Sequence, residues 1–276
     1  MTDLTISEST AWNTVQEENQ YSLARILGIW VAAALPMGIL SWVVYPALAP
    51  DFEANPIGAG MARTGLMMVG LIWVFALALI IVYREEGDLR WATVRRRLWL
   101  NTPRDLKTGE PRRKLWLWLI PFIILFGVIT FVIGPLLNPL WISIFPFFAP
   151  PPGFDPGQAL GSPDVQAQLV GAWDFLLLFV AMAFFNIFGE EFLFRGVLLP
   201  KMGGTFGKWD WVANGVLMGA YHWHQPWGMA GAILASTLLF ALPARLFRSS
   251  WMAIIAHSIQ YLFYIPLILA IVLGLA

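Results

Sequence analysis

Apolar residues run through this chain in long blocks rather than in alternation. The blocks fall at about 26–47, 65–83, 115–136, 168–188, 211–227, 229–244 and 251–275, with polar stretches between them. A helix needs roughly 20 apolar residues to cross a hydrocarbon core about 30 Å thick. The first four blocks and the last have that length. The fifth and sixth are shorter and are separated only by Gln225-Pro226-Trp227-Gly228, a turn between antiparallel neighbours. The pattern predicts an all-α polytopic membrane protein with about seven transmembrane helices, six to eight. It predicts one helical membrane domain over 26–276, behind a cytoplasmic N-terminal segment, 1–25. Pro36, Pro121 and Pro266 are expected to bend their helices. The stretch 137–166 is rich in prolines and aromatics. The prolines argue against a regular spanning helix there, and the aromatics suit the membrane interface or a cap on the bundle.

The polar stretches orient the helices. Segment 84–114 holds ten basic residues and five acidic ones. By the positive-inside rule it lies in the cytoplasm, and the N-terminus with it. Lys201, Lys208, Arg245 and Arg248 then fall on the same side. The segments 48–64 and 137–166 fall outside. The first residues are polar and acidic, without the basic region of a signal peptide, so the first apolar block is expected to stay as a helix. Trp91, Trp99, Trp116, Trp141, Trp209 and Trp251 sit near span ends, where interfacial anchors belong.

Composition sharpens this picture. Of 276 residues, 58% are hydrophobic and 12% charged, against about 25% charged in soluble proteins. Mean hydropathy is +0.68. The net charge is zero, which gives no footprint for nucleic acid. With no cysteine, disulfides, thiolate metal sites and a cysteine nucleophile are excluded.

Against that background a few ionisable residues stand inside apolar blocks, where charge is costly and marks a pathway or a site. Counting from the basic ends at 1.5 Å per residue, Glu190 lies about 16 Å before Lys201, His222 about 18 Å after Asp210, and His257 about 13 Å after Arg248. Three helices thus bring titratable groups to one layer near mid-membrane. Glu191 and Arg195 are spaced i,i+4 and share a helix face, while Glu190 points about 100° away. One carboxylate is therefore paired and the other available as a base. Asn186 or Gly189 is a candidate break in this long helix. His224, two residues from His222, would face elsewhere on a regular helix and reads as an interfacial or turn-capping residue. Glu190, His222 and His257 make a candidate three-ligand Zn2+ set with an open position. There is no His-Glu-x-x-His, and metal-independent glutamate and histidine catalysis stays open beside it.

The run Glu190-Glu191-Phe192-Leu193-Phe194-Arg195, then Met218-Gly219-Ala220-Tyr221-His222, then His257-Ser258-Ile259-Gln260-Tyr261 resembles the CPBP family. That family comprises the CAAX protease and bacteriocin-processing (Abi) intramembrane proteases. The resemblance spans about 165–265. Met218 stands where phenylalanine is usual, and Tyr261 stands where asparagine is usual. The resemblance implies a membrane-embedded metalloprotease-type hydrolase whose site opens toward the cytosol. In it Glu190 activates water with help from His222, and Glu191, Arg195 and His257 complete the site. Tyr261 is expected to bring its hydroxyl there in place of the missing amide. The partners implied are membrane lipid and a membrane-associated peptide or protein substrate. Two other readings of the same residues are a proton-coupled transporter and a catalytically silent immunity or interaction protein.

Overall fold

The computed structural model describes residues 20–49, 51–105, 107–151, 154 and 160–275. Most of the expected cytoplasmic segment 1–25, together with Pro152 of the proline-rich stretch, lies outside the described residues. Among the described residues, six helices are long and apolar enough to cross a membrane. They are α1 (Leu23–Leu48), α2 (Pro56–Glu86), α4 (Arg113–Ile144), α6 (Trp173–Lys201), α8 (Pro226–Phe247) and α9 (Ser250–Val272). Shorter helices join them: α3 (Trp91–Arg97), α5 (Pro163–Leu169) and α7 (Asp210–Tyr221). The chain is an all-α, multi-pass membrane protein. On α1, Leu23, Leu27, Val31, Leu35 and Ile39 are all exposed at four-residue intervals. An apolar stripe of this kind facing outward belongs against lipid, not water.

Several expectations need correction. The block at 211–227 is not a full span: its helix, α7, has 12 residues, about 18 Å of rise against a core of about 30 Å. Residues 137–144 are helical, as the end of α4, despite Pro135 and Pro139. A π-type segment, Ile129–Ile133, precedes Pro135 in α4. A widened turn of that kind re-satisfies the backbone groups a proline frees. At the end of α4, Trp141 stacks with Phe148, and Phe145 and Phe147 pack beside them. Trp99 is buried with φ 52° rather than placed at an interface. Its carbonyl accepts from Ser250 N at 2.9 Å.

α6 lies at the centre, between α2 and α9. The short α7 packs antiparallel to α8 through Gly215 and Gly219. A Cβ at Gly215 would sit 2.4 Å from Thr237 Cα, and one at Gly219 2.5 Å from Ile233 Cα. Small residues four apart let two backbones meet this closely. Ser41 Oγ and Trp42 Nε1 of α1 donate to the carbonyls of His224 and Trp223 (2.8 and 3.1 Å), and Trp141 Nε1 of α4 donates to Pro226 O (3.0 Å). These bonds hold the tip of the α7–α8 hairpin between two spanning helices.

The opposite end of the bundle is tied by ions. Glu85 of α2 accepts from Tyr21 Oη, from Arg25 Nη2 at 2.6 Å and from Arg97 Nε at 2.8 Å. Burial pushes the Tyr21 phenol above its ordinary range, so it stays a donor to that carboxylate.

Candidate active site

α6 runs unbroken through Asn186 and Gly189, and continues as a π-type segment over Phe192–Leu198. The glycine serves contact, not breakage: a Cβ there would stand 2.9 Å from Leu71 O of α2. This close approach places Glu190 and Glu191 in the middle of the bundle, 1% and 0% exposed.

The two carboxylates have different surroundings. Glu191 Oε1 accepts from His257 Nδ1 at 2.9 Å, and Glu191 Oε2 lies 3.4 Å from Arg195 Nε. Both partners are buried. Arg195 also donates through Nη2 to Ser236 O at 2.8 Å, and its Nη1 meets Met218 Sδ. These bonds occupy two of the guanidinium nitrogens, while Arg195 Nε and Glu191 Oε2 meet only across the 3.4 Å ion pair; a buried pair depends on such compensation. Met218, the departure from the family's usual phenylalanine, therefore sits on the arginine and helps enclose it. The His257 ring stacks on Phe240, with centroids 4.7 Å apart. Its Nδ1–H is committed to Glu191, which leaves Nε2 for the other side.

Glu190 points into a cavity of about 730 Å³. His222, His257 and Tyr261 line it too, with Asn186 and Gln260. Glu190 Oε1 accepts from Asn186 Nδ2 at 2.9 Å, and Tyr261 Oη donates to Asn186 Oδ1 at 2.7 Å. Glu190 Oε2 is buried with no hydrogen-bond partner among the described residues. His222 Nδ1 donates to Met218 O at 2.9 Å. A carbonyl only accepts, so the proton is on Nδ1 and Nε2 carries the lone pair.

Sequence reasoning missed two residues. Asn186 supplies an amide beside the site, although position 261 has none. It was visible only as i,i+4 to Glu190 on α6. His224 does not face away: it is buried and lines the cavity. The α-helix ends at Tyr221, and His222–His224 form a 3₁₀ turn, which stacks the two imidazoles with centroids 5.5 Å apart. Glu191 and Arg195 stand behind the cavity wall and do not line it.

Among the described residues, no three His, Asp or Glu side chains form a group able to hold a metal ion. Glu190 Oε1 is turned to Asn186 and His257 Nδ1 to Glu191, and Glu190, His222 and His257 line the same cavity.

A polytopic helical bundle with a buried Glu–Arg–His cluster and a free carboxylate oxygen on an internal cavity defines a membrane protein equipped for chemistry within the bilayer. Residues 172–263 match the family model for type II CAAX prenyl endopeptidase Rce1-like proteins. The match covers 92 of 276 residues, from the start of α6 to the middle of α9. Over this segment the chain is similar to the CAAX protease family, as its motifs indicate. No curated protein matches the chain, and no solved structure matches it.

Proposed function

We propose that the chain is an intramembrane endopeptidase that hydrolyses a membrane-associated peptide or protein. The observation that carries this reading is the unpartnered Glu190 Oε2 on the cavity. A buried carboxylate oxygen in that state is an acceptor for a water proton. The buried Glu191–His257 pair and the family match support glutamate and histidine chemistry of this kind. Glu190 takes the proton as the water oxygen attacks the peptide carbonyl carbon. His222 Nε2, with its lone pair toward the cavity, orients the same water. Charge developing on the carbonyl oxygen needs a donor in a dry site. We assign that place to His257, which lines the cavity and is oriented by Glu191. Glu190 then returns its proton to the leaving amine as the C–N bond breaks. Arg195, Glu191, Asn186 and Tyr261 act through the residues they hold.

The test is cleavage of a peptide library by the purified protein in proteoliposomes, read by mass spectrometry, with Glu190→Gln beside wild type. Products from wild type that vanish in the variant support the reading, and no cleavage of any peptide by wild type removes it. Metal content is measured on the same preparation. The Tyr261–Asn186–Glu190 chain of polar groups also favours a second reading, proton-coupled transport. Proton uptake driven by a solute gradient, in protein without cleavage, would select it.

A further inference from the structure

The cavity and the basic loop lie at opposite ends of the bundle. On α2 the lining runs from Pro56 to Leu71, the first half of the helix, while Glu86 at the far end leads into the basic segment. On α4 the lining reaches Pro139, near the end remote from Arg113. On α6 it runs from Phe175 down to Glu190 and stops there. The passage to Glu190 therefore comes from the end bearing the α1–α2 and α4–α6 connections.

The other end is closed. Every residue from Glu191 to Leu199 is buried. The end of α3 is strapped across α6: Arg97 donates through Nη1 to Gly196 O at 2.9 Å and through Nη2 to Val197 O at 3.3 Å. Leu98 fills the space over Gly196, where a Cβ would meet it at 2.8 Å. Ser250 Oγ of α9 donates to Leu98 O at 2.7 Å. A separate hollow at this end, lined by Leu199, Gly203, Asp210 and Arg245, includes none of the candidate site residues.

Charge says which end faces which compartment. Of 17 Lys and Arg, 15 lie at the closed end: Arg25, the ten of segment 84–114, and Lys201, Lys208, Arg245 and Arg248. The other two, Arg63 and Arg195, are buried within spans. The connections at the open end, 49–55 and 145–172, contain none and carry Asp51, Glu53, Asp155 and Asp164. An asymmetry this complete places the closed end in the cytoplasm. It conflicts with a site opening to the cytosol, as the family resemblance implies: the two expectations cannot both hold for this cavity.

We propose that substrate reaches Glu190 from the non-cytoplasmic side, and that it is an extracytoplasmic segment of an exported or membrane-anchored protein rather than a cytosolic tail. This rests on the endopeptidase reading and adds the side from which that site is served. The volume, about 730 Å³, lies within the range of roughly 300–1,000 Å³ that encloses a drug-sized ligand, which suits a short run of extended peptide.

The chain has no cysteine, so single cysteines report alone. Ile57→Cys at the mouth and Lys107→Cys in the basic loop are treated with a membrane-impermeant maleimide in intact cells. Thr64→Cys, deeper on the same face, repeats the test should Ile57→Cys fail to fold. Mouth cysteines are expected to label in intact cells, and Lys107→Cys only after permeabilisation. In proteoliposomes, a bulky maleimide at Ile57→Cys is expected to lower cleavage more than tenfold relative to the same variant unlabelled. The same adduct at Lys107→Cys leaves cleavage unchanged. Reversed labelling, or a block from Lys107→Cys alone, overturns the proposal while the endopeptidase reading stands. Absence of cleavage in wild type with labelling as expected removes both, and is recognised by that combination.

Discussion

Glu190 and Glu191 are chemically identical neighbours on α6, yet they stand in opposite environments. On the Glu191 side, Arg195, His257, Ser236 and Met218 close around the charge. On the Glu190 side the wall opens on the cavity, and Asn186 donates to the carboxylate. One residue of helix rotation separates a carboxylate that holds side chains in place from one left able to accept a proton. The lesson concerns surroundings: burial alone does not make a carboxylate reactive, because both are buried to the same degree. Neither second oxygen has a hydrogen-bond partner among the described residues; what differs is that Glu191 has Arg195 and His257 as ion-pair partners, while Glu190 lines the cavity.

The largest expected effect tests the open side. Glu190→Gln keeps size and a hydrogen bond to Asn186 but removes the base, so cleavage is expected to fall about 10²–10⁴-fold with an unchanged melting temperature in detergent. A variant that cleaves normally would end the division of roles. Glu191→Ala tests the closed side. It leaves Arg195 buried without its counter-ion, and breaking such a pair typically costs about 3–5 kcal/mol of stability. Equal melting temperatures for the two variants would break the comparison, as would equal destabilisation by both.

A smaller effect is expected from Tyr261→Phe, which removes only the hydroxyl that holds Asn186 Oδ1. Turnover should drop roughly tenfold, about 1.4 kcal/mol, with KM unchanged. Because Tyr261 acts through Asn186, the same change made on top of Asn186→Leu should add little, as expected for residues in one network. Additive losses would assign Tyr261 a separate contact with substrate. The smallest effect sets the baseline: Arg96→Ala breaks the half-exposed pair with Glu86 and should leave both melting temperature and cleavage unmoved, since exposed pairs contribute little. A drop as large as that of Glu191→Ala would mean burial is not what separates the two classes of ion pair.

The separation of the two glutamates was legible in the sequence, because consecutive residues on a helix diverge by about 100° whatever surrounds them. The Glu191–Arg195 spacing was legible for the same reason, and so was the shared depth of Glu190, His222 and His257. His224 was not. Its place depends on the helix ending at Tyr221, and that end depends on hydrogen bonds from Ser41 and Trp42 of α1, about 180 residues away in sequence. Nor was Asn186 legible, because its function comes from a bond to Tyr261, 75 residues further on.

The sequence by itself determined the class of protein and the layer of its chemistry. Hydrocarbon permits charge so rarely that long apolar blocks and a few interrupting Glu, His and Arg are readable without coordinates. The distribution of Lys and Arg likewise supplied the orientation expected by the positive-inside rule. Tertiary structure alone decided which block was too short to span, which oxygen of Glu190 lacked a partner, and at which end the cavity opens. Those outcomes depend on how closely helices approach at Gly189, Gly215 and Gly219, and on Arg97 and Leu98 closing one end of α6. Packing between residues distant in sequence has no local periodicity from which it can be read.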